Sequence, residues 1–147
     1  MTILLFWISL ITSAFMTGLI WTVQLVHYPS FHAFEKNQFA KHMDFHRTRI
    51  SYIVLPVMLL ELASSVSLAA MSTNFRSEFI IALAVLIIIW ASTFFLQVPA
   101  HGAIAQTYDR DVVKKLVATN WIRTLCWTFR TSILLYVLSK LSLLGLF

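Results

Sequence analysis

The sequence predicts an all-α protein, a four-helix transmembrane bundle with helical extensions on its cytoplasmic side. Three observations carry this expectation. The 147 residues are 59% hydrophobic and 12% charged, with a mean hydropathy of +0.81, a composition of integral membrane proteins rather than soluble domains. Four apolar runs, at about Ile3–Val26, Ile50–Met71, Phe79–Val98 and Trp121–Ser139, each approach the ~20 residues that cross a hydrocarbon core of ~30 Å. The basic residues are also unevenly shared. Lys36, Lys41, Arg47 and Arg49 fall in the first connection and Arg110, Lys114, Lys115 and Arg123 in or beside the third, whereas only Arg76 and Lys140 fall on the opposite side. This positive-inside bias puts connections one and three in the cytoplasm and both termini outside it, and a bacterial inner membrane is the expected location.

The connections are short, so residues 1–147 are expected to form one integral membrane domain. The net charge of +5 is explained by topology, and nucleic acid is not an expected partner. The first apolar run has no basic segment before it and is too long for a cleavable signal peptide. Cys126 is the only cysteine, which excludes a disulfide framework or a thiolate metal cluster. Three glycines (Gly18, Gly102, Gly145) are too few and too scattered for a phosphate-cradling loop.

The first crossing is expected to end where Pro29 breaks the helix, just after His27 and Tyr28. From about Phe34, the residues Phe34, Phe39, Met43, Phe45 and Ile50 recur at helical spacing, which predicts an interfacial helix running on into the second crossing. Pro56 inside that crossing frees a backbone carbonyl and can kink it. Ser72 to Glu78 reads as a short external turn. From Tyr108 to Thr119 a second helical extension is expected, with Asp109 or Asp111 as its cap. The stretch from Trp21 to Pro29 (WTVQLVHYP) echoes that from Trp90 to Pro99 (WASTFFLQVP), and each is followed by a polar helix entering the next crossing through Arg47-Thr48 or Arg123-Thr124. Two related helical hairpins about an axis along the membrane normal are one reading of this echo.

A polar stripe runs through the apolar sequence. On the fourth crossing Asn120, Arg123, Trp127 and Arg130 share a face within roughly 80°. Arg130 is expected ~13 Å into the span and Glu61 ~16 Å, so an ion pair between them is the economical arrangement. Such a pair pins two helices; alternatively Glu61 is a protonatable group in a cavity. All five histidines belong to the cytoplasmic side. His42 and His46 share a helical face with Arg49 beyond, and His27 and His101 end crossings at a similar height, with His32 more peripheral. Four imidazoles at one level make His27, His42, His46 and His101 candidate ligands for a transition metal or a haem. Gln24, Tyr28, Arg49, Trp90, Gln97, Asn120 and Trp127 are candidate substrate-binding residues around a pocket open toward the cytoplasmic leaflet, with Trp21, Trp90 and Trp127 as an aromatic wall. The glutamines serve equally well as hydrogen-bonding pins between helices.

The segment NWIRTLCWTFR, Asn120 to Arg130, resembles the last helix of the anthrone-oxygenase-like family of small four-helix membrane proteins, which places an Asn, a Trp and an Arg at comparable spacing. The stretch from His27 to Glu61 departs from that family's pattern. The resemblance implies oxidation of a polycyclic phenolic compound, with Asn120, Trp127 and Arg130 in the site.

Three functions follow as expectations. The first is an oxygenase or other oxidoreductase, carrying out oxidation or proton transfer on a membrane-dissolved aromatic or quinone-like molecule. In it His42 or His46 is the general base, Arg123, Arg130 and Glu61 complete the catalytic set, and Asn120 and Gln97 orient the substrate. The second is a metal- or haem-binding membrane protein. The third is a non-catalytic membrane subunit or lipid-binding helper, whose partners are membrane lipids and whose polar stripe only fixes packing. Transport through four helices requires a homo-oligomer, and no small-xxx-small dimer seam is evident.

Overall fold

A computed structural model describes residues 2–31, 36–106 and 109–145, all of it helices and short connections with no strand among them. His32, Phe34 and Tyr108, which figure in the sequence reading, lie outside the described residues. The helices are α1 (Thr2–Thr22), α2 (Tyr28–Ser30), α3 (Lys36–Met71), α4 (Arg76–Ser92), α5 (Val98–Gln106) and α6 (Arg110–Leu143). A five-residue π turn, Val23–His27, joins α1 to α2, and a second, Thr93–Gln97, joins α4 to α5.

Pro29 does not break the first helix. Helical structure runs on to Ser30, and the chain widens into the π turn just before the proline. The physical cause is the proline ring, which clashes with the carbonyl four residues back and offers no N–H. For Pro29 that carbonyl belongs to Leu25 and for Pro99 to Phe95, each inside its π turn. The echo between the two stretches is therefore structural as well as verbal: each π turn ends two residues before its proline. Pro56 differs, since α3 runs through it as α-helix.

As expected, α3 and α6 are long helices that absorb the two connections, and the Asp109 carboxylate caps α6 by accepting from the backbone N–H of Asp111 at 2.8 Å and Val112 at 3.3 Å. The turn between α3 and α4 is shorter than expected, because α4 already begins at Arg76. Phe75 ahead of it holds a left-handed conformation at φ 58°.

Three helical runs are long and apolar enough to cross a membrane: Ile3–Ser30, Lys41–Met71 and Arg76–Gln106. Large apolar side chains cover their outer faces, among them Leu4, Ile11, Leu55, Ile87 and Phe95. Around the bundle α1 packs on α3 and α6, and α4 packs on the same two helices, so α3 and α6 face each other across the centre.

The interior alternates apolar and polar layers. Phe6, Leu10, Leu68, Phe79, Leu134 and Val137 form one end. Met16, Ile20, Met58, Leu86, Ile89 and Trp127 form the middle. Tyr28, Phe31, Phe39, Met43, Ile104 and Leu116 form the other end. Between the first two layers lie buried Ser9, Ser13, Glu61, Ser65 and Arg130, and between the last two lie Gln24, Gln97, Asn120 and Arg123.

Candidate functional site

The deeper polar layer is closed upon itself. Arg130 Nη1 lies 3.0 Å from Glu61 Oε1 with both side chains fully buried, and Trp127 Nε1 donates to Glu61 Oε2 at 3.1 Å. Arg130 Nη2 donates to Ser9 Oγ at 2.9 Å and also to Ser65 Oγ. The expected ion pair is present, and it spans the bundle diagonally from α3 to α6. Ser13 and Thr17, at helical spacing from Ser9, continue the seam: each hydroxyl meets Thr131 Oγ1 at 2.8 Å. This Ser9-Ser13-Thr17 pattern is a small-xxx-small stripe within the chain, not a dimer seam. Its partner is the chain's own α6.

The shallower polar layer pins the two π turns to α6. Asn120 Nδ2 donates to Gln24 Oε1 at 2.8 Å, and Gln24 Nε2 donates to the Val117 carbonyl at 3.4 Å. Gln97 Nε2 donates to Thr119 Oγ1 at 3.0 Å, while Tyr28 Oη donates to Gln97 Oε1 at 3.4 Å. Each π turn thus contributes one buried glutamine to a neighbouring stretch of one helix.

Beside this layer lies a cavity of about 370 Å³ between α1, α3, α5 and α6. Met16, Leu19, Ile20, Val23, Ile50 and Val54 supply its apolar lining. Its polar lining comes from Tyr28, His46, Arg47, Gln97, His101 and Arg123, with the hydroxyls of Thr48, Ser51 and Thr93. Arg47 and Ser51 on α3 and Val98 on α5 are exposed, so the cavity meets the outer surface between those two helices.

Arg123 is 8% exposed, its guanidinium carbon lies 5.3 Å from the centroid of the Trp127 ring, and its Nε has no hydrogen-bond partner. Among the described residues no carboxylate pairs with it. Its neighbour one heptad along α6, Arg130, has Glu61. Among the described residues, one buried guanidinium is therefore compensated and the other faces a cavity.

The imidazoles gather next to Arg123. His27 and His46 stack with ring centroids 3.9 Å apart and planes inclined by 29°. His46 and His101 lie 6.5 Å apart at 22°, and His27 and His42 6.4 Å apart at 38°. The Nδ1 of His101 is 2.8 Å from the Gln97 carbonyl. A carbonyl only accepts, so Nδ1 holds the proton and Nε2 keeps the lone pair. The Nε2 of His27 is buried without a hydrogen-bond partner. Metal ligation needs ring nitrogens converging in their ring planes on one point, whereas His27 and His46 meet face to face. Among the described residues no group of three or more His, Cys, Asp or Glu is arranged to hold a metal ion.

The sequence-derived candidates therefore divide. His46, Tyr28, Gln97, His101 and Arg123 line the cavity. His27 and His42 stand behind His46. Glu61, Arg130 and Trp127 belong to the closed layer, and Gln24 and Asn120 to the pins. Arg49 is exposed, over the Phe45 ring at 5.3 Å. No tryptophan is among the lining residues: Trp21 Nε1 donates to Thr128 Oγ1 at 3.0 Å, and Trp90 packs on Phe94 at 5.5 Å. Sequence reasoning missed Thr48, Ser51 and Thr93; the Arg-Thr echo pointed at Thr48, and nothing singled out the other two. No protein-family model matches the chain, and neither does any characterised protein or solved structure.

Proposed function

We propose that the chain is a four-helix transmembrane bundle of a bacterial inner membrane, with both termini outside the cytoplasm, whose cavity takes an aromatic or quinone-like molecule from the bilayer for proton-transfer and oxidation chemistry. The fourth crossing is α6. Arg123 and Arg130 lower its mean hydropathy, yet both are buried, while Ile122, Leu125, Phe129 and Leu135 cover its outer face.

The observation that carries the reading is the cavity itself. It joins an apolar wall to a cluster of imidazole, guanidinium and amide groups and opens sideways between α3 and α5, the form expected of a site for a flat apolar molecule with a polar end. His46 is the proposed base. A ring nitrogen takes the proton of a phenolic hydroxyl, the O–H bond breaks, and its electron pair stays on oxygen. Arg123 holds the resulting oxyanion, and Gln97 and Tyr28 orient the ring. The phenolate is the electron-rich form that an acceptor such as dioxygen oxidises. The resemblance of Asn120–Arg130 to the anthrone-oxygenase-like family implies the same class of substrate, with Asn120, Trp127 and Arg130 standing behind the cavity and Arg123 of the same segment lining it.

The test is oxygen consumption by purified protein in detergent with an anthrone-type phenol. His46→Ala is expected to lose about a hundredfold or more in rate, with its thermal unfolding unchanged. An unaltered rate in that variant sinks the proposal, as does a Soret band or stoichiometric metal in the purified protein.

A further inference from the structure

We infer that the cavity selects its ligand by charge: it holds an organic oxyanion, a carboxylate or acidic phenolate, in preference to a neutral quinone or amide of the same shape. The inference rests on reading the cavity as a small-molecule site and names the class of molecule it takes.

Among the described residues that line the cavity are two guanidinium groups, Arg47 and Arg123, and two imidazoles, His46 and His101, but no carboxylate. Arg47 is partly answered by Asp44 at 2.8 Å, on the exposed side of α3. Arg123 has no such partner among the described residues. A buried cation without a counter-charge is costly, and here the described residues place empty volume beside it and no acid. The contrast with Arg130 excludes the idea that this bundle simply tolerates buried arginines, because Glu61, Ser9 and Ser65 all converge on that one. The Trp127 ring lies 5.3 Å from the guanidinium carbon of Arg123, and Tyr28 and Gln97 stand near as further polar partners. A planar oxyanion suits a planar guanidinium by the two-pronged hydrogen bonding of such pairs. The apolar body of the ligand would then lie along Met16, Leu19, Ile20 and Val54. The cavity equals about a dozen water volumes at ~30 Å³ each, enough for a two-ring aromatic acid.

The experiment is calorimetric binding of naphthoate, naphthamide and naphthoquinone to the purified chain in a non-ionic detergent. Wild type is expected to bind naphthoate roughly tenfold or more tighter than naphthamide, the size of a charged over a neutral hydrogen bond. Arg123→Gln erases that preference, and Arg123→Lys keeps part of it. Ser51→Trp, an exposed position at the mouth, blocks all three probes. If naphthamide and naphthoquinone bind wild type as tightly as naphthoate and Ser51→Trp still blocks them, the charge inference is overturned and the small-molecule site stands. If Ser51→Trp alters no binding, the small-molecule reading falls with it. Should Arg123→Gln not fold, the wild-type comparison and Arg123→Lys decide.

Discussion

Glu61 and Arg130 show how a residue's surroundings separate structure from chemistry. Two charges in the same interior, seven residues apart on α6, meet different fates: Arg130 has an acid and two hydroxyls, Arg123 has a ring and a cavity. The closed pair holds the helices in place. Glu61→Gln leaves a buried guanidinium without its counter-charge and is expected to cost about 3–5 kcal/mol, read as a fall in the thermal unfolding midpoint in detergent. Replacing both partners together, Glu61→Leu with Arg130→Met, is expected to recover most of that loss, because neither charge is then orphaned. A double variant no more stable than the single one would show that the pair does more than bridge. Trp127→Phe removes one donor to the carboxylate and costs about 1 kcal/mol.

The π turns are the elements that turn two ordinary apolar helices into site-builders. Each takes up the strain of a downstream proline and sends one glutamine onto α6. A π turn holds a residue more per turn than an α-helix, so removing Val26, which is 66% exposed, lets Val23–His27 close into α-helix without turning the flanking segments. Such a deletion is expected to be tolerated, whereas deleting Met16 in the regular part of α1 turns Thr17 about 100° out of line with Ser9 and Ser13 and splits the seam against α6; circular dichroism and unfolding midpoints distinguish the two. Asn120→Ala strands the buried Gln24 carbonyl oxygen and is expected to cost about 1–3 kcal/mol, while the paired change with Gln24→Leu is milder.

At the scale of the whole molecule, the layers and the exposed apolar belt make one testable statement about orientation. With Cys126 replaced by Ser, Asn74→Cys in the turn between α3 and α4 is expected to react with an impermeant maleimide on intact spheroplasts. Lys114→Cys near the start of α6 is expected to react only after the membrane is opened. The reverse pattern would invert the bundle and place the cavity's mouth in the opposite leaflet. The seam of small residues on α1 is occupied within the chain, so a homo-oligomer would have to form through another face.

The all-helical class, the approximate limits of three long apolar runs and the pairing of Glu61 with Arg130 were legible in the amino-acid order, because hydrophobic runs, their length and the positions of two charges within them are one-dimensional quantities. So was the Asp109 cap, a local interaction within three residues. The extension of the first helix past Pro29 was not legible, since a proline announces that α-helix cannot continue but is silent on whether the chain breaks or widens. Nor was the division of labour among the polar residues. Asn120, Arg123, Trp127 and Arg130 share one face of α6 and look alike along the sequence; which of them meets an acid, a glutamine or an empty volume depends on what α1, α3 and α5 bring to the same height. Burial and partnership are properties of neighbours far apart in the chain, and only packing decides them.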